Sequence, residues 1–342
     1  MRRIIINSFG IMLALAFSVS CKKSQDEPVQ FNSRQNNFEV FWKDFDQNYA
    51  AFILDNVNWD SLNQVYQPLI NSSTSNAALF NILKTCISLL KDAHSDLDGG
   101  QYGTYSYYDL FVQQKPSNFI SWDVISSKYV QVIRTDGKNL AYGKINDSVG
   151  YFYIGSFDDN ENDYLLIDSF LVRFKDAKGV IIDVRQNGGG NEAYGQIIAS
   201  RFTNQSVIYR YARSRNGPNH SDLTDFDALQ LDPDGITMFA KKVILLTNRS
   251  TFSAAEDFTL MMKSLPNVIH IGDTTFGGAA THPVERTLPN GWNYRLATTI
   301  NYDLNKKTIL TGIAPDSAVL ITASDILLGK DRILEEAIKK IN

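Results

Sequence analysis

From Val149 onward the chain alternates short apolar runs with amphipathic stretches: Val149 to Ile154, Tyr164 to Phe174, Gly179 to Asp183, Glu192 to Phe202, Val243 to Thr247, a stretch from Ser253, and Val268 to Ile271. The short runs are rich in β-branched residues and read as strands. The stretches between them carry apolar residues every three or four positions and read as helices. Strand, helix and strand in succession point to a largely parallel sheet covered by helices. The pattern therefore sets an α/β fold over residues 147–342. At 44% hydrophobic, a chain of 342 residues has ample material for such a core.

The preceding residues differ in character. Phe38-Glu39-Val40-Phe41-Trp42, Leu62 to Ile70 and Ala77 to Leu90 have helical spacing, with Asn58-Trp59-Asp60-Ser61 and Ser72 to Asn76 as turns and caps. Residues 36–98 thus read as a small helical amino-terminal domain. Residues 99–146 are Gly- and Tyr-rich and then alternate, as in Tyr129-Val130-Gln131-Val132-Ile133, which reads as a short β-rich connecting region of strands and loops.

At the start, Arg2-Arg3 precede an apolar run from Ile4 to Val19, a secretory signal over residues 1–20. The run ends at Ser20-Cys21, which resembles a bacterial lipoprotein cleavage site, although Ser18 stands where a leucine is usual. Cys21 then becomes a lipidated amino terminus, residues 21–35 a polar tether, and the expected location is the cell envelope, held to the membrane by the lipid. A plain signal peptide with an incidental cysteine is the alternative. Cys86, the other cysteine, lies on an apolar helical pattern and reads as a buried small hydrophobe. The 33 basic and 37 acidic residues give a net charge of -4 with no long run of either sign, so nucleic acid is not an expected partner.

Three segments carry residues suited to chemistry. Strand Val243 to Thr247 runs through Asn248-Arg249-Ser250-Thr251-Phe252 into Ser253-Ala254-Ala255-Glu256, placing a serine at the first helical position. Amides of a helix's first turn have no intrahelical partner, so an oxyanion forming there meets ready donors. Ser253-x-x-Glu256 is equally a capping box, which needs no catalysis. Strand Gly179 to Asp183 leads into Val184-Arg185-Gln186-Asn187-Gly188-Gly189-Gly190, where glycines allow close backbone approach to a ligand or simply a tight turn. Third, His94 follows an apolar helix in Lys91-Asp92-Ala93-His94-Ser95-Asp96, and is either a general base or a helix-end residue. Of the other three histidines, His270 reads as structural, His220 lies in a polar loop, and His282 is the rival base. No His-x-x-x-His or clustered His/Asp arrangement appears, so neither a metal nor another cofactor is expected.

In this order the segments resemble the serine peptidases of the carboxyl-terminal processing and tricorn family. Asp183 to Gly190 is similar to that family's Asp-x-Arg-x-Asn-x-Gly-Gly element, and Val243 to Glu256 to its strand, turn and Ser-x-x-Glu element. Ile271 to Gly277, Gly312-Ile313-Ala314-Pro315-Asp316 and Asp92-Ala93-His94 resemble three further elements, and coverage runs from about Phe38 to Leu328. The resemblance implies a crotonase/ClpP-like ββα core with a helical amino-terminal domain. It also implies endopeptidase activity on peptides or unfolded proteins, with Ser253 as nucleophile and the amides of Ala254 and of Gly188 or Gly189 as oxyanion hole.

Two departures refine this. Bacterial processing peptidases pair serine with a lysine just after Phe-Gly, a place held here by Gly278, so a Ser/Lys dyad is excluded. Tricorn-like members use a histidine from the region matching His94, which makes His94 the expected base, with its orienting acid unassigned and Glu256 as a supporting or capping residue. The segment from Gly99 to Lys144 is also too short for a whole peptide-binding PDZ domain, leaving the stretch Tyr102 to Tyr108 either to line the cleft or to pack. The expected function is a secreted, lipid-anchored serine endopeptidase. The missing lysine leaves a second reading open, a catalytically inactive binding protein of the cell envelope on the same scaffold, and an esterase is a third.

Overall fold

Polar side chains start the first helices. Ser33 Oγ accepts the Asn36 amide at the head of α1 (Arg34–Asn48), Asn58 Oδ1 accepts that of Ser61 before α2 (Trp59–Tyr66), and Ser75 Oγ accepts that of Ala78 before α3 (Asn76–Leu90). The structure is a computed structural model that describes residues 31–54, 57–114, 119–137 and 139–342. The expected signal, the lipidation site Cys21 and the tether up to residue 30 lie outside these residues, and the tether's expected last residues, Arg34 and Gln35, already belong to α1. After α3 the chain forms β1 (Asp96–Asp98), β2 (Thr104–Ser106), α4 (Tyr107–Gln114), α5 (Trp122–Lys128), β3 (Gln131–Asp136) and β4 (Leu140–Asn146).

The α/β alternation follows in the expected places. β5 (Val149–Ile154) leads to α6 (Glu161–Tyr164) and α7 (Leu166–Arg173), then β6 (Gly179–Asp183), α8 (Glu192–Ala199), β7 (Val207–Ser214) and β8 (Asp227–Leu231). Next come β9 (Lys242–Thr247), α9 (Ala254–Lys263), β10 (Val268–Gly272), β11 (Ala280–Thr287), β12 (Asn293–Tyr302), β13 (Ser317–Ala318), α10 (Ala323–Leu328) and α11 (Arg332–Ile341).

One sheet has the order β13-β10-β9-β6-β5-β4-β3, parallel from β13 to β5 and antiparallel beyond. Its central strands are buried on both faces, as continuous apolar runs demand. Val180, Ile182, Val243 and Leu245 point into one core with α7, α8 and α9, while Ile181, Ile244 and Leu246 point into another with α11. The second sheet is antiparallel, β2-β1-β12-β7-β8 with β11 also on β12. Helices α1 and α3 cover it, packing Phe38, Phe41, Phe45, Leu79 and Leu83 against Tyr294, Leu296 and Ala297. Residues Asn32–Asn342 form one compact unit.

Two expectations need correction. Residues 99–146 contain the helices α4 and α5 as well as strands. Their caps outweigh the β-propensity of the tyrosines: Ser106 Oγ accepts the Asp109 amide and Ser121 Oγ that of Val124. The large sheet also starts at β3, ahead of residue 147.

Candidate active site

Ser253 is not the first helical residue, as its sequence position suggests, but the N-cap of α9, with φ 57° and ψ -125°. A non-glycine residue in that region costs about 1–3 kcal/mol and persists only where its surroundings enforce it. They do so here through the exits of β9 and β6. Thr251 Oγ1 donates to the Val184 carbonyl at 3.0 Å, the Phe252 amide to the Asn187 carbonyl at 3.0 Å, and Asn248 Oδ1 accepts the Gln186 amide at 3.1 Å.

His94 is fixed from the other side. Lys91 ends α3 in the left-handed conformation, and the buried carboxylate of Asp92 accepts the His94 amide at 3.0 Å and the Ser95 hydroxyl at 2.6 Å. β1 then pairs with β12. Together these bring His94 Nε2 to 2.8 Å from Ser253 Oγ across 159 residues of sequence. Burial is the main cause that lowers the His94 pKa to about 4; the Ala280 backbone works against it, and Arg295 and His282 reinforce it. The ring is therefore neutral at pH 7, the form that accepts a proton.

Asp92 is not the orienting acid, since its oxygens serve the backbone turn. Glu256 is not either. Its carboxylate accepts from Thr275 Oγ1 at 2.6 Å and from the amides of Gly277 at 2.8 Å, Gly278 at 2.9 Å and Ser253 at 3.2 Å. Burial raises its pKa against those four bonds, and its contacts clamp the Thr275–Gly278 segment to the head of α9.

The glycine turn lies beside the serine. A Cβ on Gly189 would sit 2.7 Å from Ser253 Cβ and 3.1 Å from the Ala254 amide nitrogen, an approach only glycine allows. Of the two candidate amides in this turn, that of Gly189 donates to Asn187 Oδ1 at 2.9 Å, which corrects its expected place in an oxyanion hole. Among the described residues the amides of Gly188 and Ala254 have no hydrogen-bond partner; Ala254 follows Ser253 directly, and Gly188 precedes Gly189, the glycine that packs on Ser253. Asn187, part of the Asp-x-Arg-x-Asn-x-Gly-Gly element but given no role from the sequence, joins the two loops: its Nδ2 donates to the Ile154 carbonyl and its own carbonyl holds Phe252.

Asp183 and Arg185 turn out to be structural. The Arg185 guanidinium bridges Asp183 at 2.6 Å and Asp331 at 2.9 Å, wholly buried, and Tyr151 donates to Asp183 at 2.6 Å. The other histidines stand apart from Ser253. His270 Nε2 meets Thr247 Oγ1 at 2.6 Å, His220 meets Asp46 at 2.7 Å, and His282 lies 4.0 Å from Glu192. Tyr108 borders the site, with its hydroxyl donating to the Ser250 carbonyl at 3.2 Å, whereas Tyr102 packs on Trp292. Among the described residues no group of His, Cys, Asp and Glu is arranged to hold a metal ion.

Comparison with known proteins gives the family. The profile of peptidase family S41 matches residues 148–319, and that of the tricorn protease C1 domain residues 31–87. A Parabacteroides merdae ATCC 43184 protein, given as a candidate peptidase, is 35% identical, with 91% of this chain and 97% of that one covered and a TM-score of 0.80. Mature CPAF, at 12% identity, shares the fold with a TM-score of 0.66 over 90% of this chain and 96% of its own. The tail-specific protease of Haemophilus influenzae (strain ATCC 51907 / DSM 11121 / KW20 / Rd) is 27% identical over 150 residues, 42% of this chain but only 18% of that protein's length. The family profile spans half of the sequence, and the chain belongs to peptidase family S41, a family of serine-type peptidases with a ClpP-like fold, in its tricorn-like form.

Proposed function

We propose that this protein is an endopeptidase in which Ser253 is the nucleophile and His94 the general base. The observation that carries the proposal is the 2.8 Å contact between His94 Nε2 and Ser253 Oγ beside two unengaged amides. Ser253 Oγ attacks the scissile carbonyl as its proton passes to Nε2. The oxygen that gains charge is held by the amides of Ala254 and Gly188, a contribution typically worth about 3 kcal/mol for each donor. The imidazolium then gives its proton to the leaving amine, and water attacks the acyl-enzyme by the same route. The substrates are peptides or unfolded proteins, and the chain is exported and anchored to the cell envelope through lipidated Cys21, a reading that rests on Arg2-Arg3, the apolar run and Ser20-Cys21.

The test is covalent capture by a serine-reactive phosphonate, with turnover of ester and amide substrates. Capture at Ser253 that vanishes in Ser253→Ala and slows in His94→Ala is expected. Persistent failure of the wild-type protein to react would favour the inactive binding scaffold, and ester turnover without amide turnover an esterase. Mass spectrometry of the mature protein tests the anchor: an unmodified amino terminus elsewhere than Cys21 would overturn it.

A further inference from the structure

The acids near His94 are all committed elsewhere, yet a base must be held in plane to receive a proton. Asp92 serves the backbone and Ser95, Asp96 pairs with Arg295 of β12, and Glu256 of α9 serves Thr275 and three amides. His282 of β11 faces Glu192. Among the described residues the ring's buried Nδ1 has no side-chain partner; the polar group that favours its protonated form is the Ala280 backbone.

Besides that backbone contact, the ring is held by other rings. Its centroid lies 4.5 Å from that of Phe252, stacked at 29°. Phe252 also stacks with Tyr108 of α4 at 4.5 Å and 17°. Phe276 meets both edge-on, Phe252 at 4.8 Å and Tyr108 at 5.3 Å, and packs on Phe111 at 4.8 Å. Gly278 has no side chain to intrude, since a Cβ there would lie 2.6 Å from the Phe252 ring.

We propose that Phe252 and Tyr108 are positioning residues for His94, their stack holding the imidazole plane where a carboxylate does so in a triad; this rests on His94 being the base of Ser253. Stacking restricts rotation about the ring's second torsion, which is the rotation that would carry Nε2 away from Ser253. The negative faces of aromatic rings also favour a cation, so the stack stabilises the imidazolium when it forms and not before. An aliphatic side chain of similar bulk fills the space but supplies neither effect.

The experiment compares Phe252→Leu and Tyr108→Leu with Phe252→Tyr and Tyr108→Phe, reading phosphonate capture at Ser253, kcat and KM on a peptide substrate, and Tm. Both leucine variants are expected to lose about tenfold to a hundredfold in kcat, as small misplacements of a base do, with a smaller change in KM. The aromatic variants recover most of that loss. Leucine variants with wild-type kcat, or a loss confined to KM, or no recovery by the aromatic variants, would overturn the positioning role. Should Phe252→Leu not fold, the Tyr108 pair on α4 decides. A wild-type protein resistant to capture overturns the catalytic reading and this one together, whereas capture that depends on His94 but not on the stack overturns only this one.

Discussion

Gly278 and His94 occupy one another's space: a Cβ on Gly278 would lie 3.1 Å from His94 Cε1, and also 3.0 Å from Glu256 Oε2. Where the resemblance leads one to look for a lysine, the imidazole already stands. The glycine is thus the condition for a histidine base. Gly278→Lys is expected to abolish phosphonate capture instead of building a second route to the proton, because its side chain must displace His94 or Phe252. Gly278→Ala should lower kcat by at least about tenfold through the same clash. Capture kinetics of the two variants check both.

Ser253 holds its half-buried hydroxyl at φ 57°, a conformation glycine adopts at little cost. Ser253→Gly should therefore abolish turnover and raise unfolding stability by about 1 kcal/mol, the strain recovered less the added freedom of the unfolded chain. Ser253→Ala keeps the strain and should show no such gain. Urea unfolding of the three proteins makes the comparison.

Burial lowers the His94 pKa from 6.5 to about 4, so the rate of Ser253 acylation should be level near neutrality and fall only as the pH drops through about 4. The same shift enters stability with a definite sign. A histidine whose folded pKa lies below its unfolded one contributes stability that is whole above pH 6.5 and is lost as the pH falls toward 4. His94→Gln should accordingly lose less stability than the wild type between those two pH values. Denaturant titrations of the pair at each pH measure the difference.

Asp331 caps α11 by accepting the Leu334 amide at 3.0 Å and faces Arg185 with both oxygens. Asp331→Ala leaves the guanidinium buried with only Asp183 and frees the helix that covers one face of the parallel sheet. A loss of about 3–5 kcal/mol is expected, as for other buried pairs that lose one partner. Chemical unfolding followed by circular dichroism tests it.

The α/β core was legible because its strands β5, β6, β9 and β10 are apolar runs of the right length, and the turns after β6 and β9 carry residues with few other uses. Ser253 and His94 could each be picked out by chemistry, but their contact could not, since nothing local records a pairing across 159 residues. Gly189 illustrates a finer limit. Choosing between its amide and that of Gly188 depends on where Asn187 Oδ1 points, which is a matter of side-chain torsion and not of composition. Tyr108 could be read as lining the cleft or as packing and Phe252 as part of a turn, and only the assembled stack relates them to His94. α4 and α5 were hidden because their caps, Ser106 and Ser121, sit among residues that favour strands.

His94 and Ser253 are mounted on different layers. His94 belongs to the connection between a helix over the antiparallel sheet and a strand of that sheet, whereas Ser253 belongs to the parallel sheet and its helices. Residues 147–342 hold Ser253 and the amides of Gly188 and Ala254 but not His94. On the proposed mechanism, cleavage would then require residues 36–98 to be docked against residues 147–342, and a partly folded copy would lack the proposed base.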